Sequence, residues 1–220
     1  MDEDEVTPDR RDEQQYRLGR ILAISDGVFA FSLTLLVVGL VVPTAATSSE
    51  LLSQLRLQLP ALFSYLLSFV VVAVTWNAHH ESYRFIRRAD SRLIALNFAC
   101  LLVVAFLPFP NALLGRNAGQ PVATVVYAVV LTLMNLANAA IWWYAASGRR
   151  LVDRDLDEQI IRRRFFRVIL GTAVFVVSMP FAVVLPYAAE VMWLAAIAVI
   201  FVIRVEPRSS QTPAVAKLDK

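Results

Sequence analysis

The sequence predicts an all-α membrane protein with six transmembrane helices in each subunit. Three observations carry that expectation. Of the 220 residues, 58% are apolar, more than a single soluble domain of this length has an interior to hold. The apolar residues fall in runs of bilayer length, since roughly 20 helical residues cross a hydrocarbon core about 30 Å thick. The basic residues are dense in alternate connections and sparse in the others, the pattern of a chain with a positive inner side. The length leaves room for one domain only. A single cysteine, Cys100, excludes a disulfide scaffold. The net charge of +3 gives no reason to expect nucleic acid.

The spans follow in order. Ile21–Val42 is interrupted only by Ser25 and Asp26, and Leu59–Ala78, Leu93–Leu114 and Val122–Ala146 follow it. Val168–Ile203 then runs for 36 residues with one charge, Glu190. That is about 54 Å of helix, too long for one crossing and enough for two short ones. Pro186 marks the break, because an interior proline removes a backbone bond and clashes with the preceding turn. The fifth and sixth spans are therefore expected to meet in a tight turn around Pro186–Glu190. Residues 1–16 read as a disordered N-terminal tail, 17–205 as the membrane domain and 206–220 as a C-terminal tail. The acidic start, Asp2 to Glu5, and the long first run speak against a cleaved signal peptide.

Orientation follows from the charges. The N-terminal segment, the second and fourth connections and the C-terminal tail hold 19 of the 21 Lys and Arg residues; Arg56 and Arg116 are the others. The crowded side is expected to be cytoplasmic, and an even span count puts both termini there. The fourth connection, Gly148–Arg164, mixes both signs. Its Leu151, Leu156, Ile160 and Ile161 approach a helical stripe, so it reads either as an interfacial helix or as a solvated loop.

Ionisable groups in lipid are costly and face the protein interior. Asp26 lies about 9 Å along its helix from Arg20, His79 and His80 about 6–8 Å from Arg84, and Asn97 about 8 Å from Arg92. Three helices thus place polar groups at one depth near the basic side. A carboxylate, two imidazoles and an amide at one depth can form an interhelical hydrogen-bonded layer. Three readings stay open for it: a packing network, a proton or ion relay, and a metal or catalytic site. Adjacent His79 and His80 point about 100° apart on a helix and do not converge on one metal. HEXXH, GxSxG, P-loop, CxxC and GxGxxG patterns are absent, which argues against the commoner enzyme classes. On the first span Phe31, Thr34, Leu35 and Val38 form one continuous face, with Asp26 rotated off it. That face is either a packing or lipid surface or the lining of a pore.

The residues also resemble a known family. Arg20-x-x-x-Ile24-Ser25-Asp26 resembles the RxxxFSD signature of the transmembrane protein 175 family of potassium-permeable channels, and Gly27-Val28-Phe29-Ala30 matches its usual prokaryotic continuation. Trp76-x-x-His79-His80, Asp90-x-x-Leu93-x-x-x-Asn97 and Phe106-Leu107-Pro108-Phe109 resemble its later motifs. The likeness spans roughly residues 17–205. It departs at Ile24, where phenylalanine is typical, and at Phe31, where an aliphatic residue is usual. The resemblance implies a homotetramer of six-helix subunits around a pore lined by the first helix, with no TVGYG filter and no cofactor. Potassium and other monovalent cations are the implied ligands and membrane lipid the surroundings. It assigns Phe31 to the main hydrophobic constriction, Leu35 and Val38 to further apolar layers, and Thr34 to a layer linked to selectivity. It places Arg20, Ser25, Asp26, Trp76, His79, His80 and Asn97 in a structural network, and it implies no catalytic residue and no bound metal. The expected function is a passive, weakly selective cation channel in a prokaryotic plasma membrane. The alternatives are a secondary or proton-coupled transporter using Asp26, His79 and His80, and a membrane enzyme using the same layer.

Overall fold

The computed structural model describes residues 8–204, and the side chains of 12–196 within them. Residues 1–7 and 205–220 lie outside the described residues, and with them the whole expected C-terminal tail. The described chain is helical: α1 (Pro8–Leu35), continued by a 3-10 turn at Leu36–Gly39, α2 (Ser48–Leu57), α3 (Leu59–Tyr83), α4 (Ser91–Phe106), α5 (Pro108–Arg116), α6 (Pro121–Ala146), α7 (Glu158–Val184) and α8 (Pro186–Arg204). No named strand occurs among the described residues, and Ile86 and Val152 form an isolated antiparallel bridge. Among the described residues, five helical segments are long and apolar enough to cross a membrane: Asp12–Gly39, Leu59–Tyr83, Ser91–Arg116, Pro121–Arg149 and Glu158–Val184.

Local chemistry sets the helix ends. Prolines open α1, α5, α6 and α8, where the missing N–H is an orphan in any case. Thr47, Asp90 and Asp157 cap α2, α4 and α7 by accepting from the N–H groups of Glu50, Leu93 and Gln159. Gly148, at φ +62°, ends the α6 segment in the left-handed region that glycine occupies without strain.

The boundaries differ from the sequence reading in four places. α1 starts at Pro8, so it includes Pro8–Tyr16, a stretch expected as tail. The third run is two helices, α4 and α5, divided at Leu107 because Pro108 and Pro110 cannot continue the hydrogen-bond ladder. α7 begins at Glu158, ten residues before the apolar run, and carries Arg162, Arg163, Arg164 and Arg167 on its first turns. Only Leu185 separates α7 from α8, immediately before Pro186. The 150–157 stretch is neither an interfacial helix nor a solvated loop throughout. Leu151 and Val152 are buried, and the Leu151 carbonyl accepts from the N–H groups of Arg87 (2.7 Å) and Arg88 (3.3 Å).

Packing runs α1 on α4, α4 on α6, α6 on α7 and α7 on α8, with α3 and α5 closing the other side. α1 and the turn that continues it bury Leu18, Ile21, Ser25, Phe29, Ser32 and Leu36, a stripe at helical spacing. The basic segments meet at one end of the bundle. There the Gln14 side chain accepts from the Ala89 N–H at 2.9 Å, and Arg87 pairs with Asp153 at 2.9 Å. At the opposite end α5 closes tightly onto α3. A Cβ on Gly115 would stand 2.8 Å from the Ala61 backbone, so that approach requires glycine.

Candidate functional site

Two features of α1 define the site: a polar layer on its buried side and a bare apolar face on the other. The layer centres on Asn97 of α4, 2% exposed among large apolar neighbours. Its Oδ1 accepts from Nε2–H of His79 at 2.8 Å and from the Tyr83 hydroxyl at 3.1 Å. Its Nδ2 donates to Ser25 Oγ at 3.0 Å, and Ser25 in turn donates to the Ile21 carbonyl at 2.8 Å. One carboxamide thereby joins α1, α3 and α4. The pattern requires His79 to be protonated on Nε2, because the amide oxygen cannot donate. The Tyr83 ring lies 4.7 Å from the His79 ring, and Phe29 closes the other side of the imidazole at 5.5 Å.

A second contact joins α1 to α3 nearer the surface. The Trp76 indole N–H donates to Asp26 Oδ1 at 2.7 Å, so the carboxylate has a partner outside the Asn97 cluster. The His80 ring lies against Trp76 at 5.5 Å, and its buried Nδ1 has no hydrogen-bond partner among the described residues. Arg20 stands apart from both contacts: it is exposed, and its guanidinium lies over the Tyr16 ring at 5.9 Å. The structure thus brings Ser25, His79 and Asn97 together, and Asp26 with Trp76. It places His80 beside the second pair and Arg20 outside both.

Sequence reasoning missed Tyr83, although its position one turn after His79 puts it on the same face of α3. It also missed a second buried cluster at the opposite end. Asn111 of α5 accepts from Ser64 at 2.8 Å and Ser68 at 2.9 Å, Ser68 pairs with the Tyr127 hydroxyl at 2.7 Å, and the Asn111 amide donates to the Leu36 carbonyl at 3.4 Å. Ser32 donates to the Val104 carbonyl at 2.9 Å between the two layers. The buried side of α1 is therefore pinned at three heights. Asn135 and Asn138 instead turn back onto their own helix, at the carbonyls of Leu131 and Met134.

The other side of α1 is uncovered. Phe31 is 65% exposed and Val38 70%. Thr34 between them is also exposed, while Leu35 is half-buried at the edge of the stripe. The Thr34 hydroxyl donates to the Phe31 carbonyl at 2.8 Å. Among the described residues no group of three or more His, Cys, Asp or Glu side chains is placed to hold a metal.

Outside the spans, Asp90 caps α4 and accepts the Tyr144 hydroxyl at 2.5 Å. Burial works against its charge. The Tyr144 hydroxyl, the Leu93 and Arg92 N–H groups and the Arg92 guanidinium outweigh that and hold its carboxyl below the usual carboxylate range.

The motifs that form these contacts lie within residues 20–108, the part of the chain matched by the family model for the endosomal/lysosomal potassium channel TMEM175. A potassium channel of Streptomyces collinus is 35% identical over 182 residues, which cover 81% of this chain and 86% of that protein. The chain belongs to the TMEM175 family. A second relative, a potassium channel of Chamaesiphon minutus, is 35% identical over 149 residues, 66% of this chain and 73% of the relative. The fold agrees with a crystal structure of a lysosomal potassium-selective channel TMEM175 homolog from the same organism. The TM-score is 0.75 at 27% identity, covering 87% of this chain and all of that one (100%). The protein is an integral membrane protein with the TMEM175 fold.

Proposed function

We propose that the protein is a passive cation channel subunit, potassium-permeable and weakly selective, and that four copies surround a pore lined by α1. The observation that carries this reading is the bare face of α1. Phe31, Thr34 and Val38 are exposed while the opposite stripe is buried and hydrogen-bonded. In a chain whose relatives from Streptomyces collinus and Chamaesiphon minutus are named potassium channels, that face is the one a ring of copies would turn inward. α8 has 19 residues, about 28 Å of helix, which supports a sixth crossing. Six crossings put both termini on the basic side, cytoplasmic in a prokaryotic plasma membrane.

The chemistry follows from the side chains. A ring of Phe31 forms an apolar constriction that closes to ions by dewetting, with Leu35 and Val38 as further apolar layers. Thr34 gives its hydroxyl proton to the Phe31 carbonyl, which leaves the oxygen lone pairs to replace hydration water around a cation. One such layer without a carbonyl filter accounts for weak selectivity. Ser25, Asp26, Trp76, His79 and Asn97 hold the angle of α1 against α3 and α4.

The test is reconstitution of the purified protein in vesicles, with potassium and sodium flux measured side by side. A channel gives passive flux and reversal potentials that follow the gradients. Saturable counterflow would overturn the proposal in favour of a carrier working through Asp26, His79 and His80.

A further inference from the structure

At the basic end of the bundle, α6 and α7 flank an open cavity of about 600 Å³ that neither the polar layer nor the α1 face uses. The lining changes character along the helices. Trp142, Trp143 and Phe165 form its inner part, on the turns that lead into the apolar spans. Ser147, Glu158, Gln159 and Arg162 form its outer part, at the last residues of the α6 segment and the first turns of α7. Trp143 is 60% exposed and Arg162 is exposed.

We propose that this cavity binds the headgroup of an anionic phospholipid, with the acyl chains running along Trp143 and Phe165. The order of the lining fits one molecule that is charged at one end and apolar at the other. Tryptophan at that level is the usual marker of the membrane–water interface. An arginine beside a cavity between helices at this depth suits a lipid phosphate. Arg162 forms no ion pair among the described residues, whereas its neighbour Arg164 is engaged by Glu81 at 3.3 Å and by the Phe85 and Trp142 rings. Glu158 opposes an anion at the rim, but residues 149–167 hold seven arginines against four acidic residues, which makes this end of the two helices net positive. A soluble anion would use the arginine and leave the indole and phenyl walls bare to water, so the lipid is the better occupant.

The test uses the full protein in vesicles of phosphatidylcholine doped with brominated phosphatidylglycerol or brominated phosphatidylcholine. Quenching of tryptophan fluorescence is compared between the natural chain and Trp143→Phe, and the difference isolates Trp143. Brominated phosphatidylglycerol should quench Trp143 with an apparent affinity about fivefold above brominated phosphatidylcholine, the contribution of one well-placed basic side chain. Arg162→Gln should bring that ratio close to one, Arg162→Lys should keep most of it, and Arg88→Gln, exposed at the same end but outside the cavity, should leave it unchanged. Equal quenching by the two lipids would overturn the proposal, and so would a ratio that survives Arg162→Gln. An equal loss in Arg88→Gln would overturn it in favour of diffuse surface attraction.

Discussion

Replacing Asn97 by Ala removes three interhelical hydrogen bonds at once: from His79 at 2.8 Å, from Tyr83 at 3.1 Å and to Ser25 at 3.0 Å. In a water-soluble core each stranded group would cost about 1–3 kcal/mol. Between membrane helices the average is nearer 0.6 kcal/mol per contact, with a ceiling of about 1.7, because the separated helices find other partners. Three contacts at the membrane value give a loss of about 2 kcal/mol for Asn97→Ala, and at most about 5. Reversible unfolding in mixed micelles, followed by tryptophan fluorescence, measures it. A double-mutant cycle with Tyr83→Phe separates the network from general packing. The hydroxyl deletion should cost about 0.6–1.7 kcal/mol in the natural chain and close to nothing once Asn97 is gone. Effects that add to within about 0.3 kcal/mol would refute the hub, as would a loss below about 0.5 kcal/mol for Asn97→Ala alone.

The other predictions concern the bare face of α1 and the cap of α4. Phe31→Ala should raise single-channel conductance severalfold, because the proposed apolar ring of Phe31 side chains is lost; unchanged conductance in planar bilayers would count against the constriction. Thr34→Val keeps the shape and removes the hydroxyl oxygen, so the potassium-to-sodium permeability ratio should fall while the assembly persists. Reversal potentials read that ratio. Asp90→Ala should cost about 1 kcal/mol at neutral pH through loss of the helix cap. Because the Asp90 carboxyl is held below its usual range, its stabilising contribution is present above about pH 4 and fades as the pH falls below that. Thermal unfolding of the variant and the natural chain should therefore converge at low pH.

The spans and the polar layer were legible because both depend on distance along a helix. A rise of about 1.5 Å per residue turns residue numbers into depth, and depth alone put Asp26, His79, His80 and Asn97 at one level, while Ser25 came in only through the family motif. Which side chains touch within that level depends on rotation and partner choice. Those were not legible for Tyr83, and they separated Asp26 and Trp76 from the Asn97 cluster. The second cluster, at the opposite end, was hidden for a different reason. Ser64, Ser68, Asn111 and Tyr127 come from three helices, and serines on an apolar helix carry no signal until a partner is seen. The division at Leu107 could have been drawn from Pro108, which was read only as part of a family motif, and from Pro110, which was not read at all. The burial of Leu151 and Val152 follows from pairing with the Ile86–Arg88 strand-like turn, a long-range contact that the mixed charge of the connection conceals.

The central claim is that cations pass along the exposed face of α1. Cysteine at Thr34, in a chain whose buried Cys100 is replaced by Ser, tests it most directly. Potassium flux through reconstituted vesicles is recorded before and after a cationic thiol reagent, with Ser32→Cys, on the buried face, as the control. Flux that is abolished by modification at position 34 and untouched at position 32 is the predicted result. Flux that continues through protein fully modified at position 34 would contradict it.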